Sequence, residues 1–166
     1  MKKIVILSIS LLIVAGSPLQ AQEKRSRKER QQEQMEKVQK MVDAQDYKFV
    51  AQQALPMAGR SIILTSEYDV RVSKDSVNAY LPYYGRAYVA PTDPTEGGVK
   101  FISTQFDYQL EKAKRGGWVA LITTNDTPRQ FKITLHITTT GSATLSVNDP
   151  TRQTISFNGY IEERKK

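Results

Sequence analysis

Four tyrosines and an arginine crowd one stretch of the chain, Tyr80-Leu81-Pro82-Tyr83-Tyr84-Gly85-Arg86-Ala87-Tyr88. A tyrosine ring offers a broad apolar face with a hydroxyl at its tip, so such a group can fill a core or grip a ligand. Read as a ligand site, Tyr80, Tyr83, Tyr84 and Tyr88 line a cleft, and Arg86 meets a carboxylate, a phosphate or a sugar hydroxyl. Read as architecture, Pro82 and Gly85 set a bend, the rings close one end of a barrel, and Arg86 pairs with a nearby acid or carbonyl. Aromatic clusters are mostly packing, which places the architectural reading slightly ahead. Trp118 is the other aromatic candidate. It follows Gly116 and Gly117 and heads an apolar run, a setting that favours core over ligand platform.

Other chemistries are closed or thin. The chain has no cysteine, which excludes thiol nucleophiles, disulfides and a lipid anchor built on cysteine. His136 is the only histidine, so a Ser/His/Asp arrangement would have to use it. It lies in the polar register of an alternating segment and no G-x-S-x-G elbow accompanies it, so a surface histidine is expected. Transition metals lack the imidazoles and thiolates they need, and no P-loop, dinucleotide fingerprint or calcium loop occurs. No metal and no cofactor are therefore expected. Asp93, Glu96, Asp107, Glu111, Asp126 and Asp149 could supply a carboxylate pair for glycoside hydrolysis. Most of them sit in turn sequences, where aspartate serves local hydrogen bonding, so a carboxylate-dependent hydrolase is the lesser alternative.

The elements that must position these residues are written in the periodicity. Residues 22–45 read as a charged helix, frayed or disordered in its first half, with acid-before-base pairs such as Glu33 with Lys37 and Glu36 with Lys40. Met35, Val38, Met41 and Val42 form an apolar stripe near one end only, which predicts a helix docking its last two turns. From Tyr47 onward the period is two. Val70 and Val72, Val77 and Ala79, then Phe131, Ile133, Leu135 and Ile137 alternate with polar neighbours, as do Ala143, Leu145 and Val147 and finally Ile155, Phe157 and Ile161. Residues 107–114 read as a strand entering the Gly116-Gly117 turn. Gly159 marks a bulge or a close backbone approach in the last strand. Short connectors rich in Gly, Asn, Asp and Ser separate these runs, and one long connector, residues 90–98, reads as a rim or lid.

Lys2 and Lys3 precede an apolar run over residues 4–15, too short for a bilayer that needs about 20 residues but suited to a signal peptide. Cleavage is expected after Ala21, giving an exported protein of the periplasm or cell envelope with no transmembrane segment in the mature chain. The formal charge of +7 divides unevenly. Residues 46–161 hold twelve basic against ten acidic side chains, so the excess sits at the two ends, including the basic tail at residues 163–166. No basic stripe tracks a phosphate backbone, and a nucleic-acid partner is not expected.

Five segments together resemble the exported domain-of-unknown-function 4251 family of Bacteroidota. They are Leu81-Pro82-Tyr83-Tyr84-Gly85-Arg86-Ala87, Gly97-Gly98-Val99-Lys100-Phe101, Gly116-Gly117-Trp118, Ala143-Thr144-Leu145-Ser146-Val147 and Ile155-Ser156-Phe157-Asn158-Gly159-Tyr160-Ile161. The resemblance implies an exported β-rich domain in a bacterial envelope and carries no catalytic residue with it. Asp75-Ser76-Val77 also resembles an O-glycosylation acceptor of exported proteins in that phylum, beside the plainer reading of a turn into a strand.

The expectation is one all-β antiparallel domain over residues 46–162, a sandwich or partly closed barrel of about eight to ten strands, preceded by the charged helix. Its expected role is a non-enzymatic binding module for a small molecule, glycan or protein. The alternatives are the hydrolase and a structural subunit without a ligand.

Overall fold

The structure, a computed structural model, describes residues 27–89 and 97–164. The expected leader at residues 1–21 and residues 90–96 of the long connector lie outside the described residues. Helix α1 (Arg27–Ala44) leads into nine strands: β1 (Tyr47–Pro56), β2 (Ile62–Val72), β3 (Val77–Pro82), β4 (Gly98–Ser103), β5 (Phe106–Lys112), β6 (Trp118–Thr124), β7 (Lys132–Ile137), β8 (Ser142–Asn148) and β9 (Ile155–Glu162).

All nine strands belong to one antiparallel sheet in the order β4-β3-β2-β1-β9-β8-β7-β6-β5. Neighbours are consecutive in sequence except β1 and β9, which bring the two ends of the domain together at the centre of the sheet. The two edges, β4 and β5, are therefore also consecutive, and only Thr104 and Gln105 separate them. Of the two architectures open to the alternating pattern, this one is the nearly closed barrel.

A polar clamp spans the seam. The Asp126 carboxylate accepts from the Ser103 hydroxyl, from the Thr104 N–H at 2.7 Å and hydroxyl at 3.0 Å, and from the Gln105 N–H at 3.0 Å. The Asn125 N–H donates to the Gln105 carbonyl at 2.8 Å. Donors aimed at a carboxylate favour its charged form, so Asp126, held chiefly by the Ser103 hydroxyl and the Thr104 N–H, lies well below the usual carboxylate range.

The alternating residues fill the interior. Phe49, Val70, Leu81, Ile122, Leu135, Leu145 and Phe157 are buried, and β6 and β8 alternate buried and half-buried positions along their lengths. Full burial of each such side chain contributes about 1.5–3 kcal/mol. The last turns of α1 add Val38, Met41 and Val42 to the same core, whereas Met35, one turn earlier, is exposed. The Gln34 amide ties the helix to the Thr140 carbonyl, and the Asp46 N–H closes its last turn on the Met41 carbonyl. Its short apolar stripe thus dictates where it docks.

Two irregularities shape the sheet. A bulge in β1 between Ala51 and Gln53 lies opposite Gly159, where a Cβ would stand 1.9 Å from the Val50 carbonyl oxygen. Only glycine lets the two strands pair at this point. In addition, β3 pairs only with residues 69–72 of β2, so the first part of β2 and the end of β1 run on together past β3 as a hairpin. No described helix is long and apolar enough to cross a membrane.

Candidate functional site

The tyrosine segment leaves β3 at Pro82, and its second half is tied to the connection between β8 and β9. The Gln153 N–H donates to the Arg86 carbonyl at 3.0 Å, the Tyr88 N–H donates to the Thr151 carbonyl at 2.9 Å, and Ala87 forms a bridge with Arg152. Tyr83 folds back over Gly85, where a Cβ would lie 2.6 Å from its hydroxyl oxygen. That hydroxyl has one proton for two acceptors, the carbonyls of Arg86 at 2.9 Å and Gln153 at 3.0 Å. Burial pushes the Tyr83 phenol above the ordinary tyrosine range, against the opposing pull of Arg152.

Beneath Tyr83 lies an ion cluster that leaves little room for a ligand. The Arg152 guanidinium sits 5.1 Å from the Tyr83 ring centroid and donates to the Gly98 carbonyl at 3.1 Å. Asp149 Oδ2 lies 3.8 Å from Arg152 Nε and 3.7 Å from Arg129 Nε, while Oδ1 accepts from the N–H and hydroxyl of Thr151. Asp149 and Arg152 are only 4% and 5% exposed. One carboxylate between two guanidiniums holds the end of β3, the start of β4 and the β8–β9 connection together.

The first half of the segment faces outward and is open. Asp69, Tyr80 and Lys100 form one row across β2, β3 and β4. The Tyr68 ring stacks on Tyr80 with centroids 5.5 Å apart and planes at 26°, and Lys100 Nζ lies 5.0 Å from the Tyr80 centroid. Asp69 is paired with Arg71 at 3.0 Å. Beside this row is an open depression of about 260 Å³ lined by Tyr68, Tyr80, Pro82, Tyr84, Gly98 and Lys100, with Tyr83 along one wall. Tyr80 remains 44% exposed and Tyr84 37%.

Among the residues singled out from sequence, Tyr80, Tyr83 and Tyr84 therefore meet around one depression. Arg86 and Tyr88 are exposed but lie further along the segment, where it runs beside the β8–β9 connection. Trp118 stands apart in the core, opposite Lys112 and Ile137, so it offers no platform. Sequence reasoning missed Tyr68 and Lys100. Their signal is strand register: a tyrosine and a lysine on the two strands flanking Tyr80 meet its ring only once the pairing is known.

The remaining candidates resolve in simpler ways. His136 is exposed on the outer face of β7. Asp126 and Asp149 are the clamps already described, Asp107 accepts from the Asn125 amide at 3.1 Å, and Asp93 and Glu96 lie outside the described residues. No group of three or more His, Asp or Glu among the described residues could hold a metal ion. Ser76 lies in the β2–β3 turn with its hydroxyl 3.1 Å from that of Ser73. A larger hollow, about 570 Å³, separates α1 from the β7–β8 turn, but its walls are mainly glutamine and threonine, without an aromatic pair or a fixed charge row.

Residues 29–161 match the family model described as Domain of unknown function (DUF4251). Among solved structures, that of a DUF4251 family protein from Bacteroides eggerthii DSM 20697 is similar, with a TM-score of 0.58 and 17% sequence identity over 78% of this chain and 87% of that one. At that identity the likeness shows a shared fold. A search of curated proteins found no significant match.

Proposed function

The chain belongs to the DUF4251 family of domains of unknown function, and from that premise we propose that it is an exported, non-enzymatic binding module of the bacterial envelope. The leader ending at Ala21 carries it out of the cytoplasm. Its ligand surface is the depression formed by Tyr68, Tyr80, Tyr84 and Lys100.

The observation that carries this reading is the exposed Tyr80 ring, stacked on the half-buried Tyr68 with a lysine ammonium held over it. Large rings and a charge at the surface, arranged before any ligand arrives, reduce the ordering cost of binding. Both sides of the row are mounted on paired strands, so the arrangement is rigid. Tyrosine faces suit the C–H face of a sugar or another ring, the hydroxyls can donate or accept, and Lys100 adds donors for a carboxylate or hydroxyl oxygen. A glycan fits this combination best, with a small ring-bearing acid as the nearest relative. Catalysis draws no support from the acids: Asp126 is saturated with donors and Asp149 is locked between arginines.

Titration of isotope-labelled protein with a panel of neutral and acidic oligosaccharides tests the reading by NMR. Shifts are expected at Tyr68, Tyr80, Tyr84 and Lys100. The double variant Tyr80→Ala with Lys100→Ala should weaken binding by at least about tenfold with the melting temperature nearly unchanged. Shifts confined to another surface, or full affinity in the double variant, would overturn the proposal.

A further inference from the structure

A second surface lies at the tip of the β1–β2 hairpin. Pro56, the last residue of β1, pairs with Ile155, the first of β9. The connection that precedes Ile155 holds Arg86, Ala87 and Tyr88 through backbone bonds. The hairpin tip and the segment ending at Val89 therefore share one end of the barrel.

That end is apolar and exposed to an unusual degree for so small a domain. Ile63 is 78% exposed, Met57 71%, Tyr88 65% and Val89 60%. Four large apolar side chains left in water at one end mark an interaction surface. Basic side chains flank these apolar ones in the chain. Between Lys48 and Glu67 the only charged side chain is Arg60, at the hairpin turn, and between Asp75 and Asp93 it is Arg86. Both arginines are exposed, whereas the two aspartates of the neighbouring connections are occupied, Asp149 by Arg129 and Arg152 and Asp126 by the donors of residues 103–105.

We infer that this end docks on an anionic phospholipid surface, with Met57 and Ile63 dipping among the acyl chains and Arg60 and Arg86 at the phosphates. The shape favours lipid over a protein groove. Met57 and Ile63 stand on either side of a turn, Ala58-Gly59-Arg60-Ser61, that projects beyond its neighbour β3. Apolar points on a projection suit a deformable layer, and basic side chains beside them suit anionic headgroups. The protein would rest on the membrane through these side chains alone. This surface is distinct from the tyrosine depression and does not depend on it.

Co-sedimentation of residues 22–166, which include every described residue, with two kinds of vesicle tests the inference. The expected result is binding to phosphatidylcholine vesicles containing phosphatidylglycerol and little binding to phosphatidylcholine alone. Met57→Ser with Ile63→Ser should lower the anionic-vesicle affinity at least about tenfold, because two exposed apolar side chains lose their burial. Arg60→Gln should lower it about fivefold. Melting curves of the same variants should stay close to the parent, since these side chains are mostly exposed. Failure of the parent to sediment with anionic vesicles overturns the inference. So does undiminished binding by the double serine variant, which would assign attachment to the basic residues around α1. The Tyr80→Ala, Lys100→Ala protein should bind vesicles like the parent, which separates failure here from failure of the glycan proposal.

Discussion

Tyr80 and Tyr83 are three residues apart, yet they are held by different kinds of contact. Tyr83 has its hydroxyl on two backbone carbonyls and its ring over a buried arginine. Tyr80 stands on the outer face of the sheet, touched by a tyrosine and a lysine and still 44% exposed. The change occurs at Pro82, where the chain leaves β3 and turns to the β8–β9 connection. Within a single aromatic motif, Tyr83 thus binds the protein to itself, and Tyr80 stays open to solvent.

The largest effect expected from this contrast comes from beneath Tyr83. Arg152→Ala removes one of the two guanidiniums beside Asp149, the donor to the Gly98 carbonyl and the cation under the Tyr83 ring. Breaking a buried charge pair from one side costs about 3–5 kcal/mol, and because Asp149 keeps the more exposed Arg129 at 3.7 Å, the lower end of that range is expected. Urea denaturation should show a loss of that size. A loss below about 1 kcal/mol, the range of a solvated pair, would break the contrast by making the anchored half no more structural than the open half.

A smaller effect is expected from the hydroxyl alone. Tyr83→Phe keeps the ring but leaves the Arg86 and Gln153 carbonyls without this donor, for a cost of about 1 kcal/mol. It should also change the response to pH. A phenol whose folded pKa is raised stabilises the fold fully below its unfolded value near 10, and that contribution is lost as pH rises through the folded pKa. The gap between parent and Tyr83→Phe should therefore narrow in alkaline buffer. Tyr47, fully buried and 3.3 Å from the Tyr108 hydroxyl, is also raised, chiefly by burial, and weakens both proteins alike over the same range. A gap that is constant between neutral and alkaline pH would show that the Tyr83 hydroxyl is not titrating as a buried group.

Much of the fold was legible because alternation is a local signal. Residues 131–137 and 143–147 announce buried faces from their own sequence, and the apolar stripe at Val38, Met41 and Val42 announces which end of α1 docks. What could not be read is pairing. Nothing local says that β1 lies beside β9, and so nothing local says that β4 and β5 become the two sides of a seam closed by Asp126. The candidate site was half legible for the same reason. Tyr80, Tyr83 and Tyr84 stand together in sequence, but Tyr68 and Lys100 reach them across strands, and Asp149 looked like any aspartate before a proline. Of its partners, Arg152 lies three residues on in the same connection, but Arg129 comes from the β6–β7 connection, a long-range fact with no trace in composition.

The sharpest test of the contrast is Tyr80→Ala, whose stability effect should be far below that of Arg152→Ala. The variant gives up one stacked ring and one cation contact at the surface, and aromatic pairs contribute only about 0.5–1.5 kcal/mol beyond the area they bury. Lys100 keeps its strand position and Tyr68 keeps its own packing against the core. The melting curve should therefore shift by less than it does in Arg152→Ala. If Tyr80→Ala instead unfolds the protein as readily as Arg152→Ala does, the row on β2, β3 and β4 is a structural support and the depression beside it is incidental. If the loss is slight, the Tyr80 ring and the lysine beside it form an array that the fold does not require. An arrangement of that kind, costly to leave in water and dispensable for stability, is what the proposed ligand surface demands.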